Sequence, residues 1–466
     1  MKKVAFHNLG CKVNSYEMDA MLQELKKHGY EIVPFDEKAD IYIVNTCTVT
    51  NIADRKSRQM LHKAKKTNPE GIVVAVGCYV QSDTEGVRGD DAVDLMVGNN
   101  RKKDLVSILE HYMEGTSEED SVIDINHTDE YEEMQLTGTQ EHTRAYIKIQ
   151  DGCNQFCTYC LIPYARGRVR SRKMEDILTE IRGLVKAGYR EFVMTGIHIS
   201  SYGLDFLQKE GERRAIYGLE TNYEFLKLLQ EIDKIEGVDR LRLGSLEPRI
   251  VTEEFVKGIA QLKSICPHFH LSLQSGCEET LKRMNRHYTP KQFEAGVILL
   301  RKYFEHPAIT TDVIVGFPGE SEEEFEKTRL FLEQIHFYEM HVFKYSKRKG
   351  TKAAVMENQV PEQIKTKRSD VLLAMDEKDS REFREYYMNK ITDVLLEEEK
   401  VINGKNYWIG HTKEYVKVAL ETGREYKITD DIKNTETILL TEENGQNQII
   451  TGIITDVLEK DILYMH

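Results

Sequence analysis

Short apolar runs alternate with polar, amphipathic stretches along the first 110 residues of the chain. The runs VAFHNLG, ADIYIVNT and GIVVAVG are separated by the helix-like stretches YEMDAMLQELKKHG and ADRKSRQMLHKAKKT. Strand-length apolar runs that alternate with helical patterns predict strands connected by helices. We therefore predict a small α/β domain over residues 1–112.

The same alternation returns at Arg144 and continues to about Lys349. Its strand candidates are AYIKIQ, REFVMTG, RLRLGS, HFHLSLQ, TTDVIVGF and MHVFKYS. Six such units predict a parallel α/β sheet, either open or curved into an incomplete barrel. The polar stretch 361–390, which starts with Pro361, predicts one long helix, because proline is favoured in the first turn of a helix. This second unit is expected to span residues 144–380.

The pattern changes again after residue 390 to short strands separated by turn residues. These strands are ITDVLLEE, NYWIGHT, YVKVAL, EYKITD, TILLTE and IITGIITDVL. They predict a compact β barrel or sandwich of OB-like size over residues 385–458. The predicted fold class is thus α/β, completed by a small C-terminal β domain.

Charge is distributed unevenly along the chain. The net charge is −14, yet residues 111–143 hold ten carboxylates and no lysine or arginine, and residues 391–466 have a net charge of −7. Residues 113–143 show little periodicity and are expected to form an acidic linker with partial order. The basic stretch ARGRVRSRK, residues 165–173, leaves an anion-binding surface possible despite the acidic total.

Composition excludes several classes of protein. No apolar run approaches the 18–20 residues of a membrane span, so no membrane association is expected, and the first residues do not have the pattern of a signal peptide. Eight cysteines among 466 residues are too few for a disulfide scaffold. Their clustering instead predicts a metal site in a reducing, cytoplasmic setting.

Three of the cysteines lie within eight residues, in CNQFCTYC. Cys153, Cys157 and Cys160 have Cx3Cx2C spacing, one ligand short of a closed structural site. The residues around these three cysteines are polar, which argues against three ordinary cysteines packed in a hydrophobic core. Zinc with a distant fourth ligand, for which His198 is one candidate, remains open. Three thiolates also suit a [4Fe–4S] cluster whose fourth iron is free to bind a substrate or cofactor.

A second set of three cysteines is spread along the N-terminal domain. Cys11, Cys47 and Cys78 each follow the carboxyl end of a predicted strand, in NLGCKVN, VNTCTVT and AVGCYVQ. Because such strand ends meet at one edge of a parallel sheet, these cysteines are expected to converge. The alternative is that they are ordinary buried cysteines. Cys266 and Cys277 lack any such pattern and are interpreted as packing or surface residues.

The CNQFCTYC motif resembles the radical S-adenosylmethionine (SAM) enzymes, with Tyr159 at the aromatic position before the third cysteine. In that family the open iron binds SAM, and electron transfer to SAM yields methionine and a 5′-deoxyadenosyl radical. The resemblance implies further cofactor contacts at the ends of the later strands. Each would by itself be an ordinary strand-to-helix turn: Thr195 and Gly196 in TGIH, Gln274, Ser275 and Arg286 in LQSGCEETLKRMNRHY, and Gly316 in VIVGFPGE.

Two cysteine trios followed by a β module resemble one family along essentially the whole chain, the radical-SAM methylthiotransferases. The resemblance implies an N-terminal methylthiotransferase domain, a partial (β/α)6 barrel and a C-terminal TRAM barrel. It implies two [4Fe–4S] clusters, one at each trio, and SAM used both as methyl donor and as radical source. It also implies an electron donor of flavodoxin or ferredoxin type. A radical suits the reaction, because the C–H bond to be replaced is not acidic enough for a side-chain base.

The wording of the motifs favours one branch of that family. LGCKVNSYE and NTCTVTNIADRKSRQ resemble the branch that acts on N6-threonylcarbamoyladenosine at position 37 of tRNA. The isopentenyladenosine branch is expected to read GCQMN, and the branch that modifies a ribosomal-protein side chain GCPKN. Both remain alternatives. So does a different class, an RNA-binding or sulfur-carrier protein with a structural metal and no radical chemistry.

Contacts with RNA are harder to predict from the sequence. Arg166 and Arg168 are the candidates for the phosphates of a tRNA anticodon stem-loop, ahead of Arg170, Arg172 and Lys173 in the same basic stretch. A solvated surface is the alternative for this stretch, and also for the second basic face, residues 55–66. Tyr407, Trp408 and Tyr415 either stack on bases or belong to the C-terminal core. The sequence indicates no general base, and the catalytic residues are left unknown.

Overall fold

The computed structural model describes residues 1–116, 121–138, 143–207, 218–431 and 434–466. Within these ranges, no helix is both long and apolar enough to cross a bilayer. The chain forms three successive units, an N-terminal α/β domain, a central α/β barrel and a C-terminal β barrel.

The N-terminal domain is a five-stranded, all-parallel sheet flanked by helices. Its elements are β1 (Lys3–Asn8), α1 (Lys12–Lys27), β2 (Glu31–Val33), β3 (Ile41–Thr46), α2 (Asn51–Thr67), β4 (Ile72–Gly77), α3 (Cys78–Ser82), α4 (Thr84–Arg88), β5 (Leu95–Val97) and α5 (Leu105–Glu114). The strand order is β2-β1-β3-β4-β5. Strands β3 and β4 are buried on both faces, which explains why their sequences are continuous apolar runs.

The central unit alternates strands and helices. Its elements are β6 (Arg144–Asp151), α6 (Ile162–Ala165), β7 (Arg170–Ser171), α7 (Met174–Lys186), β8 (Glu191–Gly196), α8 (Tyr223–Asp233), β9 (Arg240–Leu243), α9 (Glu253–Ile259), β10 (His268–Gln274), α10 (Glu278–Arg283), α11 (Pro290–Tyr303), β11 (Ala308–Val315), α12 (Glu322–Ile335), β12 (Glu339–Lys344) and α13 (Glu362–Glu385). All six predicted strands are present, and the predicted long helix is α13.

Six of these strands form an incomplete barrel. Strands β6, β8 and β9 are parallel neighbours, and so are β10, β11 and β12. Two parallel bridges, Leu241 with Ile265 and Leu246 with Leu271, join the two sheets side by side. The order β6-β8-β9-β10-β11-β12 confirms the predicted partial (β/α)6 barrel. The two-residue strand β7 pairs antiparallel on the outer edge of β6.

The C-terminal unit is a small β barrel. Its strands are β13 (Ile391–Ile402), β14 (Lys405–His411), β15 (Lys417–Glu421), β16 (Glu425–Asp431), β17 (Asn434–Leu439), β18 (Ile449–Glu459) and β19 (Ile462–Met465). Strand β13 pairs with both β14 and β18, which closes the ring β13-β14-β15-β19-β18. Strands β16 and β17 extend from β18 as a hairpin. The predicted small β-barrel is therefore confirmed.

The first two units share one hydrophobic core. Tyr16 and Met21 of α1 pack in the same cluster as Ile147 of β6 and Ile181 of α7. The described part of the acidic segment, residues 121–138, joins this cluster through Met134. That segment contacts both units at once, although the sequence favoured a linker with only partial order.

Candidate active site

The three N-terminal cysteines lie at the carboxyl ends of adjacent strands. Cys11 precedes α1 directly after β1, Cys47 follows β3, and Cys78 begins α3 after β4. Because β1, β3 and β4 are neighbours, the three loops meet. Gly10 has a φ of 115°, and a Cβ placed there would lie 3.1 Å from the Cys47 Sγ. The loops approach so closely that only glycine fits at this position.

The second trio lies in the loop between β6 and α6. Cys153, Cys157 and Cys160 follow the end of β6 by two to nine residues. The Cys153 N–H donates to the Gly167 carbonyl at 3.0 Å, and the Cys160 N–H donates to the Cys157 carbonyl at 3.0 Å. Gly152 enters the loop with a φ of 72°. These contacts fold the loop tightly and bring three thiols to one end of the barrel.

Each trio offers three thiols, the number of protein ligands taken by a [4Fe–4S] cluster with one open iron. All six cysteines are unpaired thiols, and among the described residues neither trio brings its three sulfurs within 4.8 Å of one another. Tetrahedral zinc, with Zn–S bonds of about 2.3 Å, would need sulfurs roughly 3.8 Å apart. Burial raises the pKa of Cys47 and of Cys153 to about 12. These thiols therefore ionise at neutral pH only when a metal binds them.

Arg166 joins the N-terminal trio to the loop of the second trio. Its Nε donates to the Cys78 Sγ at 3.1 Å, its Nη2 donates to Asn14 at 2.6 Å, and its Nη1 pairs with Glu17. The side chain is only 1% exposed. The expectation that Arg166 contacts RNA phosphates is therefore wrong, because its guanidinium is fully occupied inside the protein.

A buried ion network surrounds this contact. Glu17 also pairs with Lys102 and, at 2.7 Å, with Lys148, which in turn pairs with Asp151 at 2.6 Å. Burial alone would raise the pKa of Glu17, but Arg166, Lys102 and Lys148 hold that pKa well below its usual value. The network thus keeps its carboxylates ionised and connects α1 with the barrel.

Most of the predicted basic surface is likewise internal. Arg170 and Arg172 are at most 1% exposed, and Arg172 pairs with Glu180 and with Glu133. Burial explains the error, since arginines in a basic run are usually solvated. Arg168 is half-buried, with its guanidinium 4.5 Å from the centre of the Phe156 ring. Of the two arginines singled out for RNA, only Arg168 stays a candidate.

Several predicted SAM contacts lie close to the second trio. The Arg286 Nη1 donates to the Cys157 Sγ at 3.4 Å, and its Nη2 donates to the Ser272 carbonyl at 3.0 Å. Tyr159 packs edge-on against Phe317. Thr195 and Gly196 end β8, the neighbour of the strand that leads into the cysteine loop.

The remaining predicted contacts have other partners in the structure. Gln274 ends β10 with a left-handed φ of 68°, whereas the Ser275 hydroxyl is buried and lies 3.1 Å from that of Thr328. Gly316 has a φ of 71°, and the aliphatic chain of Lys365 occupies the space above it. Ser275 is thus part of a packed strand-to-helix turn, and Gly316 is covered by α13.

Further polar groups lie at the same end of the barrel, and of these the sequence singled out only His198, as a candidate zinc ligand. Glu247 and Arg249, which follow β9, pair at 2.9 Å, and an Arg249 Nη lies 3.4 Å from Gln155 in the cysteine loop. The Nε2 atoms of His198 and His287 are buried, and each lacks a hydrogen-bond partner within the described part of the chain. These groups suit a zwitterionic ligand. The signal for Glu247 and Arg249 was their position in the loop after β9, whereas His287 follows α10 and had no such signal.

A cavity of about 280 Å³ lies inside the barrel. Alternate strand residues line it, while their neighbours pack outward, as the two-residue period of a strand requires. The inward residues include Tyr146, Val193, Arg242, His270, Asp312 and His341. The outward neighbours include Ile147, Met194, Leu271, Val313 and Val342. The cavity lining is therefore mainly polar and charged.

The C-terminal aromatic residues do not offer faces to RNA. Tyr407 and Trp408 are each 5% exposed and belong to the core of the small barrel. Tyr415 lines the central cavity, with the guanidinium groups of Arg144 and Arg242 each 4.8 Å from its ring centre. The suggestion that these rings stack on bases is wrong, and their packing in the protein is the reason.

Comparisons with known proteins agree with this architecture. Residues 147–332 match the model of the Radical SAM superfamily, and residues 3–98 match the model of the uncharacterized protein family UPF0004. The solved structure of the radical SAM methyltransferase TsrM from Kitasatospora setae superposes with a TM-score of 0.54. The superposition covers 76% of this chain and 77% of the TsrM chain at 15% sequence identity, so this likeness shows the fold alone. The central unit is thus the core of a radical-SAM enzyme.

Curated relatives cover almost the whole chain. The threonylcarbamoyladenosine tRNA methylthiotransferase MtaB of Bacillus subtilis is 41% identical, over 90% of this chain and 91% of its own length. Its counterpart from Aquifex aeolicus is 40% identical, over 87% of this chain and 95% of its own length. A tRNA-2-methylthio-N(6)-dimethylallyladenosine synthase of Clostridium botulinum is 34% identical, over 87% of this chain and 88% of its own length. The chain therefore belongs to the radical-SAM methylthiotransferase family, whose cofactors include SAM and a [4Fe–4S] cluster.

Proposed function

We propose that this enzyme converts N6-threonylcarbamoyladenosine at position 37 of tRNA to its 2-methylthio derivative. The observation that carries this proposal is the pair of cysteine trios, one on each of two units that Arg166 joins directly. One trio suffices for radical chemistry, whereas the second provides a separate thiol-rich site at which sulfur can be handled. The names of the most similar relatives support the same reaction.

Each trio is proposed to hold one [4Fe–4S] cluster, which makes two per chain. When bound, the core cluster and SAM supply the radical and SAM also supplies the methyl group. The protein residues orient these groups and exclude water from them. Residues 1–112, 144–380 and 385–458 are proposed to act as methylthiotransferase domain, radical-SAM core and TRAM domain.

The groups at the open end of the barrel are proposed to bind SAM. Arg249 and Arg286 suit its carboxylate, and Glu247 suits its ammonium group. Burial, followed by the charges of Arg286 and Arg249, lowers the pKa of His198 to about 3. His198 is therefore neutral at physiological pH, and its unpaired Nε2 can accept or donate one hydrogen bond to the cofactor.

The polarity of the central cavity favours the threonylcarbamoyl substrate over isopentenyladenosine. An isopentenyl group carries no hydrogen-bonding atoms, so in this cavity it would leave unsatisfied the buried His268 Nδ1, which has no hydrogen-bond partner among the described residues. A threonylcarbamoyl group carries a urea, a hydroxyl and a carboxylate. The anticodon stem-loop is the proposed RNA contact, because its unpaired bases can leave the stack and enter a cavity. The proposed electron donor is of flavodoxin or ferredoxin type.

Analysis of tRNA nucleosides tests the substrate. Cells that lack this gene should accumulate threonylcarbamoyladenosine without its methylthio derivative, and the wild-type gene should restore it. Unchanged methylthiolation of threonylcarbamoyladenosine in those cells would remove this substrate. Loss of methylthiolated isopentenyladenosine instead would identify the other branch.

Cysteine variants test the two-site arrangement. The reconstituted wild-type chain should bind about eight irons and release 5′-deoxyadenosine from SAM. Cys47→Ala should keep 5′-deoxyadenosine release but lose methylthiolation, whereas Cys157→Ala should lose both. A single zinc per chain and intact SAM would instead identify a structural metal protein. The buried Cys266→Ala variant serves as the cysteine control, because this thiol lies in neither trio.

A further inference from the structure

Among the residues that the structure describes, one cation that lines the central cavity, Lys12, has no ion-pair partner. Lys12, Arg144 and Arg242 all line the cavity. Arg242 is bidentate to Glu191 at 2.7 and 3.3 Å, and Arg144 pairs with Glu397 at 3.0 Å. Both arginines are thereby neutralised by carboxylates of the protein itself.

Lys12 has no such neutralising partner. Among the residues that the structure describes, none forms an ion pair or hydrogen bond with the Lys12 ammonium group. Lys12 is accessible to solvent and follows Cys11 at the start of α1. Lys12 shares the cavity lining with Arg144 and Arg242, two cations that repel its ammonium group. The arrangement therefore favours an external anion beside Lys12.

The rest of the cavity lining agrees with a polar ligand. The His268 Nδ1 is buried without a hydrogen-bond partner in the described structure, and its ring stacks on Tyr415 at 5.1 Å. The two carboxylates of the cavity, Asp312 and Glu339, lie on β11 and β12, and Asp312 is 3.3 Å from His270. Within the described part of the chain, the Lys12 ammonium and the His268 Nδ1 thus remain for the ligand.

We propose that Lys12 binds the carboxylate of the threonyl group on the substrate nucleoside and selects it over an uncharged N6 substituent. This inference rests on the proposed function and names the residue that reads the substituent. An ammonium–carboxylate contact in a partly enclosed cavity is a charge-assisted hydrogen bond, among the stronger contacts in proteins. An uncharged substituent would instead leave Lys12 desolvated and unpaired.

The location of Lys12 also gives the contact a positioning role. Because Lys12 adjoins Cys11, the group that holds the substituent borders the N-terminal cysteine site. In the motif expected of the isopentenyladenosine branch, GCQMN, glutamine takes this position. Lys12→Gln is therefore the natural substitution, because it removes the charge and keeps a long polar side chain.

The test uses the full-length chain, reconstituted anaerobically, and anticodon stem-loop RNA that carries one of three nucleosides. These are threonylcarbamoyladenosine, its methyl ester and isopentenyladenosine. The wild-type enzyme should prefer the acid over the ester by about 10-fold or more in KM, since an ester cannot form an ion pair. Lys12→Gln should raise KM for the acid about 10-fold or more and abolish the acid–ester preference, with kcat changed less than about threefold.

The controls separate substrate binding from a structural effect. Lys26→Gln removes the same charge from the exposed end of α1 and should leave KM unchanged. Iron content and the release of 5′-deoxyadenosine without RNA should be the same in Lys12→Gln and the wild type. Lys12→Arg, which keeps the charge, should restore most of the acid–ester preference.

The possible outcomes are distinguishable. If the wild-type enzyme treats acid and ester alike, or if Lys12→Gln keeps the preference, the role of Lys12 is overturned while the proposed function stands. If the wild type modifies isopentenyladenosine and neither threonyl RNA, the proposed function itself fails. The wild-type comparison needs no variant, so it can overturn the role of Lys12 even if Lys12→Gln fails to bind iron, and the loss or retention of the preference in Lys12→Arg then tests the residue itself.

Discussion

At the scale of single residues, Arg166 is the side chain that links the two cysteine sites. It lies six residues beyond Cys160 in the sequence and donates to the sulfur of Cys78 in the other domain. Because it also pairs with Glu17, its removal leaves a buried carboxylate with two of its three cations. Arg166 thus contributes both to stability and to the environment of the Cys78 sulfur.

We expect Arg166→Gln to lower the free energy of unfolding by about 3 kcal/mol, the lower end of the range for breaking a buried ion pair, because Lys102 and Lys148 still compensate Glu17. Iron bound at the N-terminal trio should fall as well. Chemical denaturation and iron analysis measure the two effects. The matched control is Arg168→Gln, which removes a half-buried arginine and should change the unfolding free energy by less than about 1 kcal/mol.

The arginines also show where prediction from sequence ended. The convergence of Cys11, Cys47 and Cys78 was predictable, because strand ends in a parallel sheet meet at one edge. The burial of Arg166 was not, because its partner Glu17 lies 149 residues away and nothing local marks the pair. The ion-pair partners of a run of charged residues can be identified only in the folded chain.

At the scale of elements, the turn from β6 into the cysteine loop is sterically closed. A Cβ on Gly152 would lie 1.8 Å from the Arg168 carbonyl oxygen, and the φ of 72° disfavours any other residue. Gly152→Ala should therefore distort the loop and reduce iron at the second trio, with little change at the first. Gly183→Ala, at an exposed site of α7 with no atom near the added methyl group, should instead raise stability by about 0.5–1 kcal/mol. Equal iron in both variants would contradict this account.

Helix α13 carries a pH-dependent contact with β12. Burial and the charge of Asp379 raise the pKa of Asp376 to about 6, although the Met340 N–H donates to its carboxylate at 2.6 Å. A raised carboxyl pKa means that the folded state binds the proton more tightly. Stability from this group is thus lost as pH rises from about 4 to 6 and stays lost above.

We expect Asp376→Asn to remove that loss. Relative to the wild type, the variant should gain about 1 kcal/mol between pH 4 and pH 8, a value reduced from the full shift because the group is partly exposed. Unfolding measured at both pH values tests this. Asp370→Asn on the exposed face of α13 is the control, and a gain equal to that of Asp376→Asn would show that the effect is general.

The elements that the sequence missed share a physical cause. Strands β2 and β5 have three residues each, β7 has two and β19 has four. An alternation of period two cannot be recognised over so few positions. The runs of β3, β4, β6 and β8–β12, whose apolar faces are buried, were predicted within a few residues of their true ends.

At the scale of the whole molecule, the shared core and the buried ions make the first two units one body. Their contact buries Arg166, Arg170 and Arg172 of the basic stretch at residues 165–173, so apart from Arg168 the candidate cations for RNA lie elsewhere. The start of α2 and the loop after β12 are the best candidates, because they adjoin the Cys47 loop. The side-chain amide of Asn51 donates to the Lys347 carbonyl at 2.8 Å, and Arg348 pairs with Asp54 at 2.8 Å. This junction exposes five cations: Arg55, Lys56, Lys347, Lys349 and Lys352.

We expect the double variant Arg55→Gln, Lys347→Gln to weaken binding of the anticodon stem-loop about 10-fold at moderate salt, with iron content unchanged. Each lost phosphate contact should also flatten the dependence of log Kd on log salt by about 0.7–0.9. Fluorescence anisotropy across a salt series measures both quantities. The control is the double variant Lys257→Gln, Lys263→Gln. It changes the net charge by the same amount at two exposed positions of the central unit outside this junction. If that control weakens binding as much, the RNA responds to the net charge of −14 and not to the junction.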